Sequence, residues 1–454
     1  MSNITARMDR LPITSIHRVA IFALAFAYFF ELADLNTFAF AAPGLMKAWH
    51  LPVDAVALIT SASFGGMFIG AVGGGWLGDN FGRKRGIILC ISFYAVFSML
   101  NAVSWDVTSL AVFRFLTGVG LSGMTVIANT YVSEFFPANV RGKYMGRIVT
   151  IGLIGIPATA WFARYFVPLY PWGWRLVFVW GGMGLLALFM AVRMKESPRW
   201  YLRQNNLAKA EEIVGQLEAA ARAEHGPLTE VPSVVRPPVP GTGLRPGSFF
   251  ALFSVQERQR TLTMLAAWIF QTLGFYGFMS WVPTLLVKHG FSVVHALSYT
   301  ATIAVCHPLG SLIASDLVER FERRWYITID GVLIAIFGVA FGMSQAPVFI
   351  LLFGALVVLC IQGMAVGLYT YTPELFPTEV RSSAMGLAYG VGRLANVIGP
   401  FIISAIFMSA GYLTVFVYIG ACWLVVSLVI GVFGTNTTGR SLEAVAVEPV
   451  LKQR

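Results

Sequence analysis

Apolar residues gather in twelve runs, near 19–45, 57–77, 86–104, 109–131, 143–165, 174–193, 261–286, 296–315, 326–344, 347–369, 383–407 and 411–434. Most are close to the roughly 20 residues that a helix needs to cross the hydrocarbon of a bilayer. The pattern predicts an all-α membrane protein of twelve transmembrane helices, because helices satisfy their own backbone groups inside lipid.

The polar interruptions are as informative as the runs. The first run, AIFALAFAYFFELADLNTFAFAAPGL, holds Glu31 and Asp34 in its middle. Three residues apart, they share one helix face. Each charge at that depth costs about 2.5–3.5 kcal/mol on insertion scales, so the face is expected to line a protein interior or a water-filled cavity. The only long polar connection is Arg193–Arg260. Within it Asn206–Glu224 reads as an amphipathic helix with an asparagine cap, and Gly226–Gly247, rich in Pro and Gly, as an extended linker. The chain therefore divides into a six-helix bundle at 1–193, a linker with its helix at 194–260, a second six-helix bundle at 261–434 and a tail at 435–454.

The two halves repeat. YVSEFFPANVRGKYMG from Tyr131 and YTPELFPTEVRSSAMG from Tyr371 agree at eight of sixteen positions with an offset of 240. The same offset pairs Pro43 with Pro283, Gly123-Met124 with Gly363-Met364, and the stretch from Asp79 to Lys84 with that from Glu319 to Arg324. Duplicated six-helix units are a mark of secondary transporters that rock two halves about a central site.

Composition agrees: 57% of the 454 residues are hydrophobic and 12% charged, against about 25% charged in soluble domains. The net charge of +10 is read as topology rather than nucleic-acid binding. With the N-terminus in the cytoplasm, 26 of the 32 Lys and Arg fall on that side, Lys47, Arg164, Arg175 and Lys288 fall outside, and Arg114 and Arg393 are buried in segments. The positive-inside rule thus predicts both termini in the cytoplasm. The first run is too long, and too acidic, for a cleavable signal peptide. Cys90, Cys306, Cys360 and Cys422 lie in apolar segments at unrelated spacings, which predicts packing thiols and no metal or other cofactor site.

Several motifs resemble the major facilitator superfamily. GWLGDNFGRKR, from Gly75 to Arg85, is similar to that superfamily's loop motif between its second and third helices. Glu134…Pro137…Arg141, Glu196-Ser-Pro-Arg199 and Glu374…Pro377…Arg381 resemble further motifs of the sugar-porter-related branch. The resemblance covers nearly the whole chain and implies two six-helix bundles and alternating access. Asp79, Arg83, Glu134, Arg141, Glu196, Glu319, Arg323, Glu374 and Arg381 are then expected to form a cytoplasmic gate of ion pairs that part as the cycle turns. The plainer alternative is that they are topology charges and helix ends.

Inside the bundle, Asp34 and Arg114 form the sharpest expected pair. Their repeat partners are Gly274 and Gly354, so the second half lacks both charges. Pairing offsets the cost of burial, and protonating the acid would release the arginine. The resemblance implies this role: proton-coupled sugar porters use a first-helix acid and a fourth-helix arginine, and FELAD ending at Asp34 and RFLTG starting at Arg114 match those positions. A permanent locking bridge is the alternative. Glu31 is a second titrating group or a substrate contact; the chain resembles aromatic-acid and related metabolite symporters in carrying two acids at this spacing, with E-x-x-D here where they have D-x-x-D.

Arg393, in GVGRLANVIGP, has no acid among its sequence neighbours. A guanidinium at that depth fits a carboxylate ligand through two parallel hydrogen bonds. The alternative is a structural bond to a backbone carbonyl, Glu31 or Asp34. Its context resembles niacin-type, aromatic-acid and organic-ion transporters. The seventh segment keeps a Gln271-x-x-Gly274 similar to the sugar-porter helix but offers Phe275, Tyr276, Phe278 and Trp281 where sugar hydroxyls would need polar partners. Aromatic side chains suit a ring-bearing ligand. His307 is a proton relay or a packing residue, and Asp330, near the end of its segment, is expected to be interfacial.

The sequence is thus read as a proton-coupled symporter of a small organic anion, an aromatic or heteroaromatic monocarboxylate. Asp34, Arg114 and Glu31 handle the proton, and Arg393, Gln271, Phe275, Tyr276, Trp281 and His307 hold the solute. Its expected partners are the solute, protons and lipid, nothing in it demands more than a monomer, and short loops and tails point to a bacterial cytoplasmic membrane. A sugar or polyol symporter, an organic cation or drug antiporter, and a transporter-like sensor are the competing readings. An enzyme is not expected, since no nucleophile–base constellation is present.

Overall fold

The computed structural model describes residues 2–137, 140–228, 252–254, 257–377 and 380–437, and every described regular element is a helix. The expected linker at 226–247 and the tail at 435–454 lie mostly outside these residues. The first half comprises α1 (Ser2–Asp9), α2 (Ser15–Trp49), α3 (Val53–Phe81), α4 (Arg83–Ala102), α5 (Val107–Phe135), α6 (Arg141–Leu153), α7 (Gly155–Phe166), α8 (Gly173–Gly182) and α9 (Ala187–Ala191). Then come α10 (Pro198–Arg203) and α11 (Leu207–His225), and, in the second half, α12 (Arg258–Met279), α13 (Val282–Lys288), α14 (Val293–Ala304), α15 (Cys306–Arg320), α16 (Arg323–Met343), α17 (Pro347–Glu374) and α18 (Arg381–Phe433).

Among the described residues, eleven helical runs are long and apolar enough to span a membrane. The last, α18, has 53 residues and is broken at Gly411, where φ is 82° and ψ −175°. Unbroken it would be about 80 Å long at 1.5 Å per residue, so it holds the eleventh and twelfth expected segments. Four other segments are interrupted inside, one of them by a tighter 3₁₀ turn at Met183–Leu186 between α8 and α9, and the other three at prolines. α6 ends at Leu153, α12 at Met279 and α14 at Ala304, and a proline (Pro157, Pro283, Pro308) follows each by four residues. A proline nitrogen cannot donate to the carbonyl four residues back, which ends the α-helical ladder there. Pro43, Pro373 and Pro400 are carried within helices.

Residues cluster into two units, and their boundary differs from the sequence repeat. The first unit is Met1–Thr37, Gly65–Thr159 and Arg175–Val239; the second is Phe38–Phe64, Ala160–Trp174 and Pro240–Arg454. The helices of the first-half bundle therefore contribute to both units.

In the first unit, α3 lies backbone to backbone on α5. A Cβ added at Gly66 would fall 1.8 Å from the Phe115 carbonyl oxygen, at Gly70 2.1 Å from that of Val119, and at Gly74 2.6 Å from the Cα of Gly123. Small residues every fourth position permit this approach, which is how helices associate in lipid without a hydrophobic drive. The expected amphipathic helix is present as α11, capped by Asn206, whose side chain accepts from Lys209 N. Its apolar face carries Ala210 and Val214, which pack on Ile4 and Met8 of α1. Arg7 bonds Glu218 and Glu211, and Arg10 bonds Glu218. The four cysteines are free thiols, with Cys90 and Cys422 buried.

Candidate functional site

In the first unit, α2 presents both acids to the protein interior, with Glu31 3% exposed and Asp34 fully buried. Arg114 of α5 is 2% exposed and its Nη1 stands 4.0 Å from Asp34 Oδ2. The arginine donates to the Thr37 hydroxyl at 3.1 Å. Ser98 of α4 donates to Asp34 Oδ1 at 2.5 Å, whereas Oδ2 accepts no hydrogen bond among the described residues. Gly181 of α8 leaves room for the carboxylate, since a Cβ there would lie 2.0 Å from Asp34 Oδ1. Glu31 accepts from the Thr125 hydroxyl at 3.0 Å. The structure thus brings Asp34 and Arg114 together and gives Glu31 a separate partner one helical turn away. Sequence reasoning missed Thr37, Ser98 and Thr125, because single hydroxyls in apolar runs ordinarily bond their own helix.

At the effective dielectric of about 20 that suits protein sites, two unit charges 4 Å apart attract by about 4 kcal/mol. Burying each ion costs several kcal/mol after relaxation. Protonating Asp34 would remove this attraction and leave the Arg114 guanidinium as the one ion of the pair, held by hydrogen bonds such as that to Thr37.

The motif charges make a second network in this unit. Arg83, 2% exposed, bonds Asp79 at 2.7 Å and Glu134 at 2.7 Å. Glu196 accepts from the amides of Arg83 at 2.8 Å and Lys84 at 3.0 Å, placing a carboxylate on the N-terminus of α4, where the helix dipole favours it. Gly82 has φ +101°, and a Cβ there would lie 2.4 Å from Glu196 Oε2, so this glycine serves the cap. The second unit repeats the arrangement: Arg323 meets Glu374 at 3.1 Å, at the positions that the offset of 240 pairs with Arg83 and Glu134. Likewise Tyr131 Oη donates to the Lys195 carbonyl and Tyr371 Oη to that of Thr435, both at 2.8 Å. Arg381 Nε donates to the Phe376 carbonyl at 3.3 Å. Arg141 and Glu319 are exposed. Each of the ion pairs named here lies within one unit.

In the second unit, Arg393 of α18 is 9% exposed. It donates to Tyr276 Oη at 3.2 Å and to Tyr389 Oη, and its guanidinium carbon lies 4.9 Å from the ring centre of Tyr389 and 5.8 Å from that of Tyr276. Trp268 extends the aromatic wall, edge-on to Tyr369 at 5.0 Å and to Tyr389 at 5.8 Å. Tyr276 is half-buried and stacks edge-on with Phe275 at 4.9 Å and Phe64 at 4.7 Å. Gln271 is buried and its Oε1 accepts from the Thr272 hydroxyl at 3.1 Å. Trp281 is 1% exposed and Phe278 packs on Phe341 and Phe416, so both are core. His307 is equally buried, and among the described residues its polar side-chain partner is Gln362, 2.7 Å from Nδ1. Sequence reasoning found Tyr276 but not Tyr389, Tyr369 or Trp268. Tyr389 was legible in principle, one helical turn before Arg393.

Membrane-spanning helices in two repeated halves, with ionisable groups buried at mid-segment, define a secondary transporter. Comparison with known proteins agrees. The family described as "Sugar (and other) transporter" matches residues 20–448. The putative metabolite transport protein YyaJ of Bacillus subtilis is 43% identical over 441 residues, 97% of each chain. The niacin transporter NiaP of Acinetobacter baylyi is 29% identical over 449 residues, covering 98% of this chain and 100% of that one. The inward-open structure of the xylose transporter XylE from E. coli superposes with a TM-score of 0.74 at 17% identity, covering 95% of this chain and 99% of that one. The chain belongs to the sugar (and other) transporter family of the major facilitator superfamily. It is a multi-pass membrane transporter of small metabolites and not an enzyme.

Proposed function

We propose that the chain is a proton symporter of a small ring-bearing monocarboxylate, working by alternating access in a bacterial cytoplasmic membrane with both termini inside. The observation that carries the solute class is Arg393 among Tyr276 and Tyr389. A guanidinium recognises a carboxylate with two parallel bonds, and the tyrosine faces accept the ring beside it. The similarity to a protein named a niacin transporter supports the same class, niacin being a pyridine carboxylate. Asp34 takes the proton, which frees Arg114 from the carboxylate's attraction while its Thr37 hydrogen bond remains, and Glu31 tunes the site through its shared helix face.

The test is proton movement in liposomes holding the purified protein and an internal pH dye. Adding nicotinate or a benzoate-type acid should acidify the lumen, while the uncharged amide and empty liposomes should give nothing. Acidification by sugars alone would transfer the assignment to a sugar or polyol symporter. Alkalinisation by quaternary amines would make it an antiporter.

A further inference from the structure

Asp330 of α16 is used by none of the chemistry above. The sequence places it near the end of its segment as an interfacial group, yet it is 7% exposed. Its Oδ2 is buried and has no hydrogen-bond partner among the described residues. The titratable groups acting on it are Tyr326, one turn earlier in α16, and the thiol of Cys360 on α17, which is a weak hydrogen-bond donor to the carboxyl. A Cβ on Gly363 of α17 would lie 2.5 Å from Tyr326 Oη and 2.8 Å from Asp330 Oδ2. From α18, the groups nearest the neighbouring Gly331 are the Ser427 hydroxyl and the Trp423 carbonyl, neither of which titrates. Among the described residues no lysine or arginine pairs with Asp330.

The repeat shows what this seat needs for packing. The offset of 240 pairs Asp330 with Cys90 and Gly363 with Gly123. In the first unit a Cβ on Gly123 would meet Cys90 Sγ at 3.0 Å, and Cys90 is 6% exposed. The same helix pair therefore closes on a small weakly polar side chain in one half and on a carboxyl in the other. An acid adds nothing to such packing, and an ionised one without a counter-charge is costly in a membrane bundle.

We propose that Asp330 is a second proton-binding site, in the seam between α16 and α17, that takes up and releases a proton independently of Asp34. With the proton bound, the acid fills the seat as Cys90 does. With the proton lost, the charge draws water to the seam and loosens it, so turnover gains a pH dependence of its own.

The test needs no solute, so it stands or falls apart from the symport reading. The full chain is reconstituted in bilayers and its infrared carboxylic-acid C=O band is followed against pH, in wild type, Asp330→Asn, Asp330→Cys and Asp34→Asn. Asp330→Cys carries the residue that the first repeat packs at this seat and guards against misfolding of the asparagine variant. Expected is a component worth one carboxyl, present in wild type and Asp34→Asn, absent from both Asp330 variants, and lost from wild type as pH rises. Identical bands in wild type and Asp330→Cys would overturn the proposal. So would a component that persists to the highest pH the bilayer withstands, since the acid would then be a fixed structural group.

Discussion

Arg114 stands 4.0 Å from Asp34 Oδ2 yet donates to the Thr37 hydroxyl at 3.1 Å. The charges are close enough to attract but do not share a tight hydrogen bond. Protonation of Asp34 thus leaves the arginine a ready partner in place. Asp34→Asn, a mimic of the protonated acid, should lose proton-driven accumulation, with the inside-to-outside solute ratio falling to unity, while exchange of labelled for unlabelled solute persists. Uptake and counterflow in the same liposomes check this. Undiminished uphill uptake would remove Asp34 from coupling.

Arg393→Ala should weaken binding of a ring carboxylate by about 1.5–3 kcal/mol, the range for hydrogen bonds to charged groups. The uncharged amide should be nearly unaffected. Arg393→Lys should recover only part of the loss, because an ammonium lacks the planar fork. Titration calorimetry on the purified protein separates the three cases, and equal losses for acid and amide would make the residue structural.

Arg83 and Arg323 occupy equivalent positions in the repeat but different environments. The Arg83 side chain is 2% exposed and that of Arg323 15%. Removing one partner of a buried pair costs about 3–5 kcal/mol, and the cost falls toward the roughly 0–1 kcal/mol of exposed pairs as solvent reaches the pair, as it does at the half-buried Arg323 and Glu374. Arg83→Ala should therefore lower the thermal unfolding temperature in detergent clearly more than Arg323→Ala.

Gly70 and Gly73 sit three residues apart on α3. A methyl at Gly70 would collide with the Val119 carbonyl at 2.1 Å, while at Gly73 it would meet nothing within 4 Å. Overpacking costs about 1–3 kcal/mol, so Gly70→Ala should unfold at lower temperature and Gly73→Ala should match wild type.

Docking of α1 on α11 should fail in acid. The hydrogen bond from Arg7 and then that from Arg10 hold the Glu218 carboxyl down at about 2, below its ordinary 4.5. A depressed carboxylate stabilises the docked form above the ordinary value and loses that contribution as pH falls through the depressed one. Between pH 4.5 and about 2, the N-terminal segment should therefore become sensitive to an acid-stable protease. Glu218→Gln should show the same sensitivity at neutral pH.

Much of this was legible because membranes simplify the code. Long apolar runs leave few alternatives to helices, and a 240-residue offset marks Arg83 and Glu134 as equivalent to Arg323 and Glu374, though which of the motif charges pair is set by packing between helices. The amphipathic helix was found to within a residue at each end. Less legible were contacts that join distant segments through ordinary residues. Ser98 on Asp34 and Trp268 on Tyr389 carry no local signal, since serines and tryptophans are common in apolar runs. His307 and Trp281 were conspicuous in sequence for being polar or large at mid-segment, but complete burial is set by neighbours from other helices. Asp330 shows the same limit from the other side: its distance along the segment implied an interface, and the packing of α17 enclosed it.

The glycine seam between α3 and α5 also bears on how the chain enters the membrane. Segments emerge in order, and α4 is made between the two partners. Until α5 arrives, the face bearing Gly66, Gly70 and Gly74 has no backbone to meet and must be covered by lipid or by the insertion machinery. Fragments that end before α5 should therefore be degraded by membrane proteases faster than fragments that include it.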